Sequence, residues 1–351
     1  MCIYSGLCHE AESPKPAMST NSLYLRVVLS FSILFHLAQL SCATVTKRSV
    51  SGPVIKQDFP DPALIWVPEE NSWFAFATNG GGHRVQIASS PDFVTWTVEN
   101  DNVLPAVPSW VNQAAVNLWA PMVIQMADGS FVLYYSATAA ANTAAHCVGA
   151  ATSKTVRGPY TPINGTIACP ISQGGAIDPA GFHHPDGSIY VVYKIDGNSL
   201  GHGGSCNNGV APIVSTPIML QKMAANGVTP VGSPVQILDR SAADGPLVEA
   251  PSLIFVNNVF FLFFSSGCYA DTSYDLSYAT ATSVTGPYTK AGPPTAPLLV
   301  TGTYGLRAPG SATFAKDGSK VVFHAYLGSD ISGGRGMWTG IPTFNGATVT
   351  L

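Results

Sequence analysis

Three acidic residues stand out because of where they fall in a repeat. Aligning the chain on a recurring proline, Pro62, Pro121, Pro179, Pro251 and Pro309, puts Asp61, Ala120, Asp178, Ala250 and Ala308 in the column just before it. One column earlier stand Pro60, Trp119, Ile177, Glu249 and Arg307. A single Asp-Pro is ordinary turn chemistry. Repeats without the acid carry Ala in the same place, so the fold itself does not demand a carboxylate there, and Asp61, Asp178 and Glu249 become functional candidates. Carboxyl groups converging on a pocket can divide the work of breaking a glycosidic bond: one protonates the leaving oxygen while another activates water or attacks the sugar. Arg307 and Trp119 fall in the same columns and complete the candidate site. The aspartates of Asp128-Gly129, Asp186-Gly187 and Asp317-Gly318 are the contrast, because they sit in hairpin turns.

The elements that must position these residues recur with the proline. Spacings between the five prolines are 59, 58, 72 and 58 residues. Each copy opens on a short apolar strand, turns, and closes on a second strand rich in aromatic and β-branched residues, such as Trp73 to Ala77, Phe131 to Tyr135 or Phe260 to Phe264. The Asp-Gly pairs predict type I′ hairpins, with positive φ at both central residues. The second strands read as near-continuous apolar runs, as expected for sheets covered on both faces. Five sheet-forming repeats of about 60 residues point to an all-β, five-bladed β-propeller. In that fold the first strand of each blade lines a central channel, so the acid columns gather at one mouth of it.

Composition agrees and excludes alternatives. Of 351 residues 46% are hydrophobic and only 10% charged, the net charge is −4, and there are 34 Gly and 27 Pro. Acidic residues outnumber basic ones 20 to 16, which argues against a nucleic-acid partner. Leu23 to Ala43 is almost wholly apolar, with Arg26 before its densest part and Ser41-Cys42-Ala43 as a cleavage-like end, the pattern of a secretory signal peptide over 1–43. Met18 is an alternative start, and 44–48 reads as a short propeptide ending at Lys47-Arg48, leaving 49–351 as one catalytic domain with no membrane association. Beyond the leader remain Cys147, Cys169, Cys206 and Cys268, an even number that suits an oxidising compartment. Three pairings are open, and 147–169 with 206–268 serves as the working choice. Asn164-Gly165-Thr166 is a glycosylation sequon expected at the surface. Gly197-Asn198-Ser199-Leu200-Gly201 matches a nucleophile-elbow pattern, but the following glycines do not permit the helix which that motif needs.

Phe59-Pro60-Asp61-Pro62, Trp119-Ala120-Pro121, Ile177-Asp178-Pro179 and Glu249-Ala250-Pro251 occur in this order together with Ser89 to Trp96 and two Gly-Pro-Tyr phrases. In these motifs the chain resembles glycoside hydrolase family 43, the arabinanase, arabinofuranosidase and β-xylosidase family, from Phe59 to the C-terminus. The resemblance implies that Asp61 is the general base, Glu249 the general acid, and Asp178 the group that orients the acid and keeps its pKa high. It implies inversion at the anomeric carbon, for which Asp61 and Glu249 should stand about 6.5–9.5 Å apart. Phe59, Trp119 and Arg307 are expected at the substrate, Trp119 stacking on a sugar and Arg307 bonding a sugar hydroxyl or a carboxylate. His324 is expected near the channel centre, beside a calcium ion or its water, although Pro309-Gly310-Ser311-Ala312 departs from the family pattern where a second histidine would stand. The chemistry itself needs no cofactor. The reading is a secreted, monomeric enzyme acting on arabinose- or xylose-containing polysaccharide, of arabinofuranosidase or arabinanase type. The alternatives are a β-xylosidase and a non-catalytic carbohydrate-binding propeller. Fructan and sucrose hydrolases share the propeller, but Pro60 replaces the Asn of their Asn-Asp-Pro signature.

Overall fold

The computed structural model describes residues 49–351, and the leader and dibasic site assigned above lie outside the described residues. Five four-stranded antiparallel sheets form the blades of a propeller. Blade 1 is Ala63–Val67, Ser72–Ala77, Gln86–Ser90 and Thr97–Val98, and blade 2 is Leu118–Gln125, Phe131–Ala139, Asn142–Ser153 and Thr161–Pro162. Blade 3 comprises Ala176–His183, Ile189–Ile195, Ile218–Met223 and Val235–Leu238; blade 4 comprises Val248–Val256, Val259–Ser266, Asp275–Ala281 and Thr289–Lys290. Blade 5 takes three strands from the end of the chain, Gly310–Phe314, Val321–Tyr326 and Arg335–Gly340. Its outer strand comes from the beginning, Val50–Ile55 pairing with Arg335–Gly340. This exchange ties the two ends of the ring, and first strands of neighbouring blades touch all the way round it. The only helices among the described residues are short 3-10 turns, none long and apolar enough to cross a membrane.

The apolar runs acquire their meaning between the blades. Alternate residues of a strand face opposite sides of its sheet, and each side here meets a different neighbour. Phe74 and Phe76 pack toward blade 2 with Leu133 and Tyr135, whereas Ala75 and Ala77 pack toward blade 5 with Val322 and Met337. Corresponding cores fill the joints between blades 2 and 3, 3 and 4, and 4 and 5. At roughly 25 cal/mol per Å² of apolar area removed from water, these joints carry most of the hydrophobic stabilisation, and no single blade could be stable alone. Phe59 is wholly buried in the core between blades 5 and 1. The expectation that it touches substrate is therefore corrected: it anchors the segment leading to Asp61.

Turn chemistry also differs from expectation. In Asp128-Gly129, Asp186-Gly187 and Asp317-Gly318 only the glycine has positive φ, at 83°, 88° and 74°. Each glycine N–H closes a turn onto the carbonyl three residues earlier, on Met126, His184 and Ala315. The aspartate carboxylate accepts the N–H of the serine two residues on, Ser130, Ser188 or Ser319. These are type I turns followed by a left-handed glycine, and it is Asn257-Asn258, with φ of 52° and 63°, that has both residues left-handed. The two disulfides are Cys147–Cys169 and Cys206–Cys268, and Asn164 is exposed. Residues 197–200 form a 3-10 turn in which the Ser199 hydroxyl donates to the Gly174 carbonyl, so no nucleophile elbow exists.

Candidate active site

All five residues before the repeat proline have left-handed backbone: Asp61 φ 55°, Ala120 41°, Asp178 55°, Ala250 51° and Ala308 46°. That conformation is costly for a residue with a Cβ and persists only where the surroundings enforce it. In blades 2 to 4 it coincides with a slip in pairing between the first two strands, as between Trp119 and Met122 or Glu249 and Ser252, whereas in blade 5 the slip lies between Gly310 and Thr313 and its left-handed residue is Ser311, φ 49°. Such bulges re-aim side chains. Each freed N–H is held by a side chain. Ala120 donates to Thr78 Oγ1 at 2.9 Å, Asp178 to Ser136 Oγ at 2.9 Å, Ala250 to Asp178 Oδ2 at 3.0 Å, Asp61 to His324 Nδ1 at 3.0 Å, and, in blade 5, Ser311 to Ser265 Oγ at 2.8 Å. The ring of strained backbone is thus a repeated device, present with or without the acid, and it aims Asp61 and Asp178 into one axial cavity shared with Ala120, Pro121, Ala250 and Ser311.

The three carboxyls have different surroundings. Asp61 accepts from the Thr78 hydroxyl at 2.7 Å and faces Arg335 Nη1 at 3.4 Å and His324 Nδ1 at 3.3 Å. Burial would raise its pKa, but the Arg335 guanidinium and the Thr78 hydroxyl outweigh burial and hold it well below the usual carboxylate range. Asp178 goes the other way: burial, then the neighbouring Glu249, push it well above that range. Its Oδ2 grips the N–H that follows Glu249. Glu249, 8% exposed, bonds through Oε2 to the ammonium of Lys194 at 2.8 Å, and the wholly buried Lys194 also reaches Asp196 Oδ1 at 3.2 Å.

His324 is completely buried and, chiefly through burial, kept neutral. Its Nδ1 accepts the Asp61 N–H, so the proton sits on Nε2, which has no hydrogen-bond partner. A protonated ring nitrogen is a donor and does not ligate a cation directly, and among the described residues no three of His, Cys, Asp and Glu are grouped to hold a metal. These residues fit an ion approached through water, not one bound by the ring. The departure at Gly310 has a physical cause: a Cβ there would lie 2.3 Å from Cε1 of Tyr274, whose buried ring lies parallel to His324 at 5.8 Å between centroids. Gly310→Ala should therefore push Tyr274 off His324, costing about 1–3 kcal/mol and lowering kcat. Denaturant unfolding and kinetics check this, and unchanged values in both would refute it.

Arg307 reaches none of the three carboxyls and its buried Nε has no partner; Arg335 is the arginine at Asp61. The half-buried Trp119 stacks on His146, centroids 3.8 Å apart, so the protein already covers one of its faces. Sequence reasoning missed Lys194 and Arg335. Lys194 carried a signal, as the one charge in an apolar strand, at a position matched by Thr78, Ser136 and Ser265 in other blades. Arg335, on a third strand outside the proline alignment, carried none.

Acids from three blades of a five-bladed propeller come together at and beside its axial cavity, an arrangement suited to glycoside hydrolysis. Residues 50–341 match the model of glycosyl hydrolases family 43, and the chain belongs to that family. It is similar to an extracellular endo-α-(1→5)-L-arabinanase of Thermotoga petrophila, 25% identical over 187 residues covering 42% of this chain and 38% of that protein. The chain thus matches about two fifths of that relative's length. It is also similar to a probable arabinan endo-1,5-α-L-arabinosidase C of Neosartorya fischeri, 28% identical over 290 residues, 77% of this chain and 83% of that protein. Among solved structures, an endo-1,4-β-xylanase of Bacteroides thetaiotaomicron superposes with a TM-score of 0.66 at 25% identity, covering 86% of this chain and 96% of its own.

Proposed function

We propose that this chain is a secreted, inverting glycoside hydrolase acting on arabinose-containing plant polysaccharide, of arabinanase or arabinofuranosidase type. One observation carries the reading: carboxyls from three blades come together, and two of them, Asp61 and Asp178, are shifted in opposite directions. Asp61, held as an anion by Arg335 and Thr78, suits activation of water as general base. Glu249 is the general acid, and Asp178, pushed toward its neutral form, orients it through the Ala250 N–H. Inversion requires room for water between Asp61 and Glu249. Trp119, with one face free of His146, and Arg307, whose Nε lacks a partner, serve as sugar contacts. No cofactor is needed for these proton transfers; a calcium ion in the channel would interact with His324 only through water. Two disulfides and an extracellular relative support secretion, and the chain acts as a monomer.

A xylan substrate is the second reading, favoured by the likeness to the endo-1,4-β-xylanase. Product analysis on arabinan, arabinoxylan and aryl glycosides decides between them, and NMR of the first-formed anomer tests inversion. Glu249→Gln is the control, and full activity in that variant would overturn the assignment.

A further inference from the structure

We infer that Tyr269 is a sugar-stacking platform beside the general base, holding a unit of the oligosaccharide chain next to the one being cleaved; this rests on the hydrolase reading above. Tyr269 lies in the segment joining the second and third strands of blade 4, directly after Cys268 of the Cys206–Cys268 disulfide. Its carbonyl accepts the Tyr326 hydroxyl at 2.9 Å, and the Ser273 hydroxyl accepts the Cys268 N–H at 3.0 Å, so the backbone beneath the ring is fixed from both sides. The Arg335 guanidinium lies over one face of the ring, 5.2 Å from its centroid, and the same guanidinium reaches Asp61 at 3.4 Å. One guanidinium therefore spans the gap between the base and the ring.

Despite that covered face Tyr269 is 45% exposed. With Arg335 over one face, the ring has its opposite face and its hydroxyl edge to offer, the shape a sugar ring uses: an apolar face for C–H groups and a polar rim for hydroxyls. The other strongly exposed aromatic among the described residues, Tyr304, spends its hydroxyl on the Leu351 carbonyl and the Ser49 side chain, tying the two ends of the domain together. Tyr269 has no such structural duty for its ring edge. A tethered ring loses little entropy when a ligand stacks on it, so the contact can contribute its full strength.

Binding is measured in the Glu249→Gln background by calorimetry, with a short α-1,5-arabino-oligosaccharide and a xylo-oligosaccharide of equal length. Tyr269→Ala should weaken binding of the preferred oligosaccharide about three- to tenfold, and Tyr269→Phe should retain most of it. The kcat/KM pH profile of Tyr269→Ala in the otherwise native enzyme should keep its acid limb. Unchanged binding in Tyr269→Ala would overturn the proposal. So would an acid limb moved to higher pH, because Tyr269 would then act only by holding Arg335 against Asp61. Failure of the hydrolase reading shows separately, as absence of turnover by the unmodified protein.

Discussion

Asp61→Asn should lower kcat on the preferred polysaccharide by about 10²- to 10⁴-fold, the usual contribution of one positioned acid–base group. Asparagine keeps the size and tolerates left-handed backbone, so the strained turn at φ 55° survives the change. What disappears is the anion that Arg335 and Thr78 both address. The pH dependence has a definite sign. The folded-state pKa of Asp61 lies below its ordinary value of 3.8, so its stabilising contribution is complete above about that pH and is lost as pH falls through the folded value. The stability gap between native protein and variant should shrink on acidification below 3.8, and the acid limb of kcat/KM from this base should also lie there. Kinetics and acid unfolding of both proteins measure this. A variant within tenfold of native kcat would remove Asp61 from the role of base.

Lys194→Met should cost about 3–5 kcal/mol of folding stability, the effect of removing one member of a buried ion pair while its partner stays buried. Methionine fills the stem's volume but leaves Glu249, at 8% exposure, and Asp196, at 7%, without the cation they share. Burial disfavours the ammonium, yet Glu249 and Asp196 outweigh it and raise the Lys194 pKa above its ordinary 10.5. Its contribution is therefore complete below that pH and lost as pH rises through the folded value. Acidification, which neutralises unpaired carboxyls, should recover part of the variant's lost stability. Chemical denaturation at neutral and acid pH tests this, and a loss below about 1 kcal/mol would show that Lys194 is not the counter-charge of the site.

The extent to which the site was legible depended on whether a residue sat inside the repeat. Asp61, Asp178 and Glu249 stood out because alignment on Pro62, Pro121, Pro179, Pro251 and Pro309 exposes Asp61 and Asp178 where other copies hold Ala, and Glu249 one column earlier. Lys194 lay inside the same repeat, but its signal faces inward and was hidden among apolar neighbours until its partners were known. Arg335 and Tyr269 were illegible, since each meets Asp61 or its neighbours across the ring from strands and loops with no common pattern. Phe59 misled because an aromatic beside a catalytic motif reads the same whether it faces sugar or core.

The period, the hairpins, the two-sided burial of the blades and the three candidate acids were readable from the residues alone, because they follow from local alternation and from copies that can be compared with each other. The electrostatic states of Asp61 and Asp178 came from contacts across the ring. Asp61 is held anionic by a guanidinium from a strand 274 residues away, whereas Asp178 is pressed toward neutrality by burial and by Glu249. Coulomb energy depends on distance and surroundings, and closing the ring with Val50–Ile55 beside Arg335–Gly340 is what fixes both.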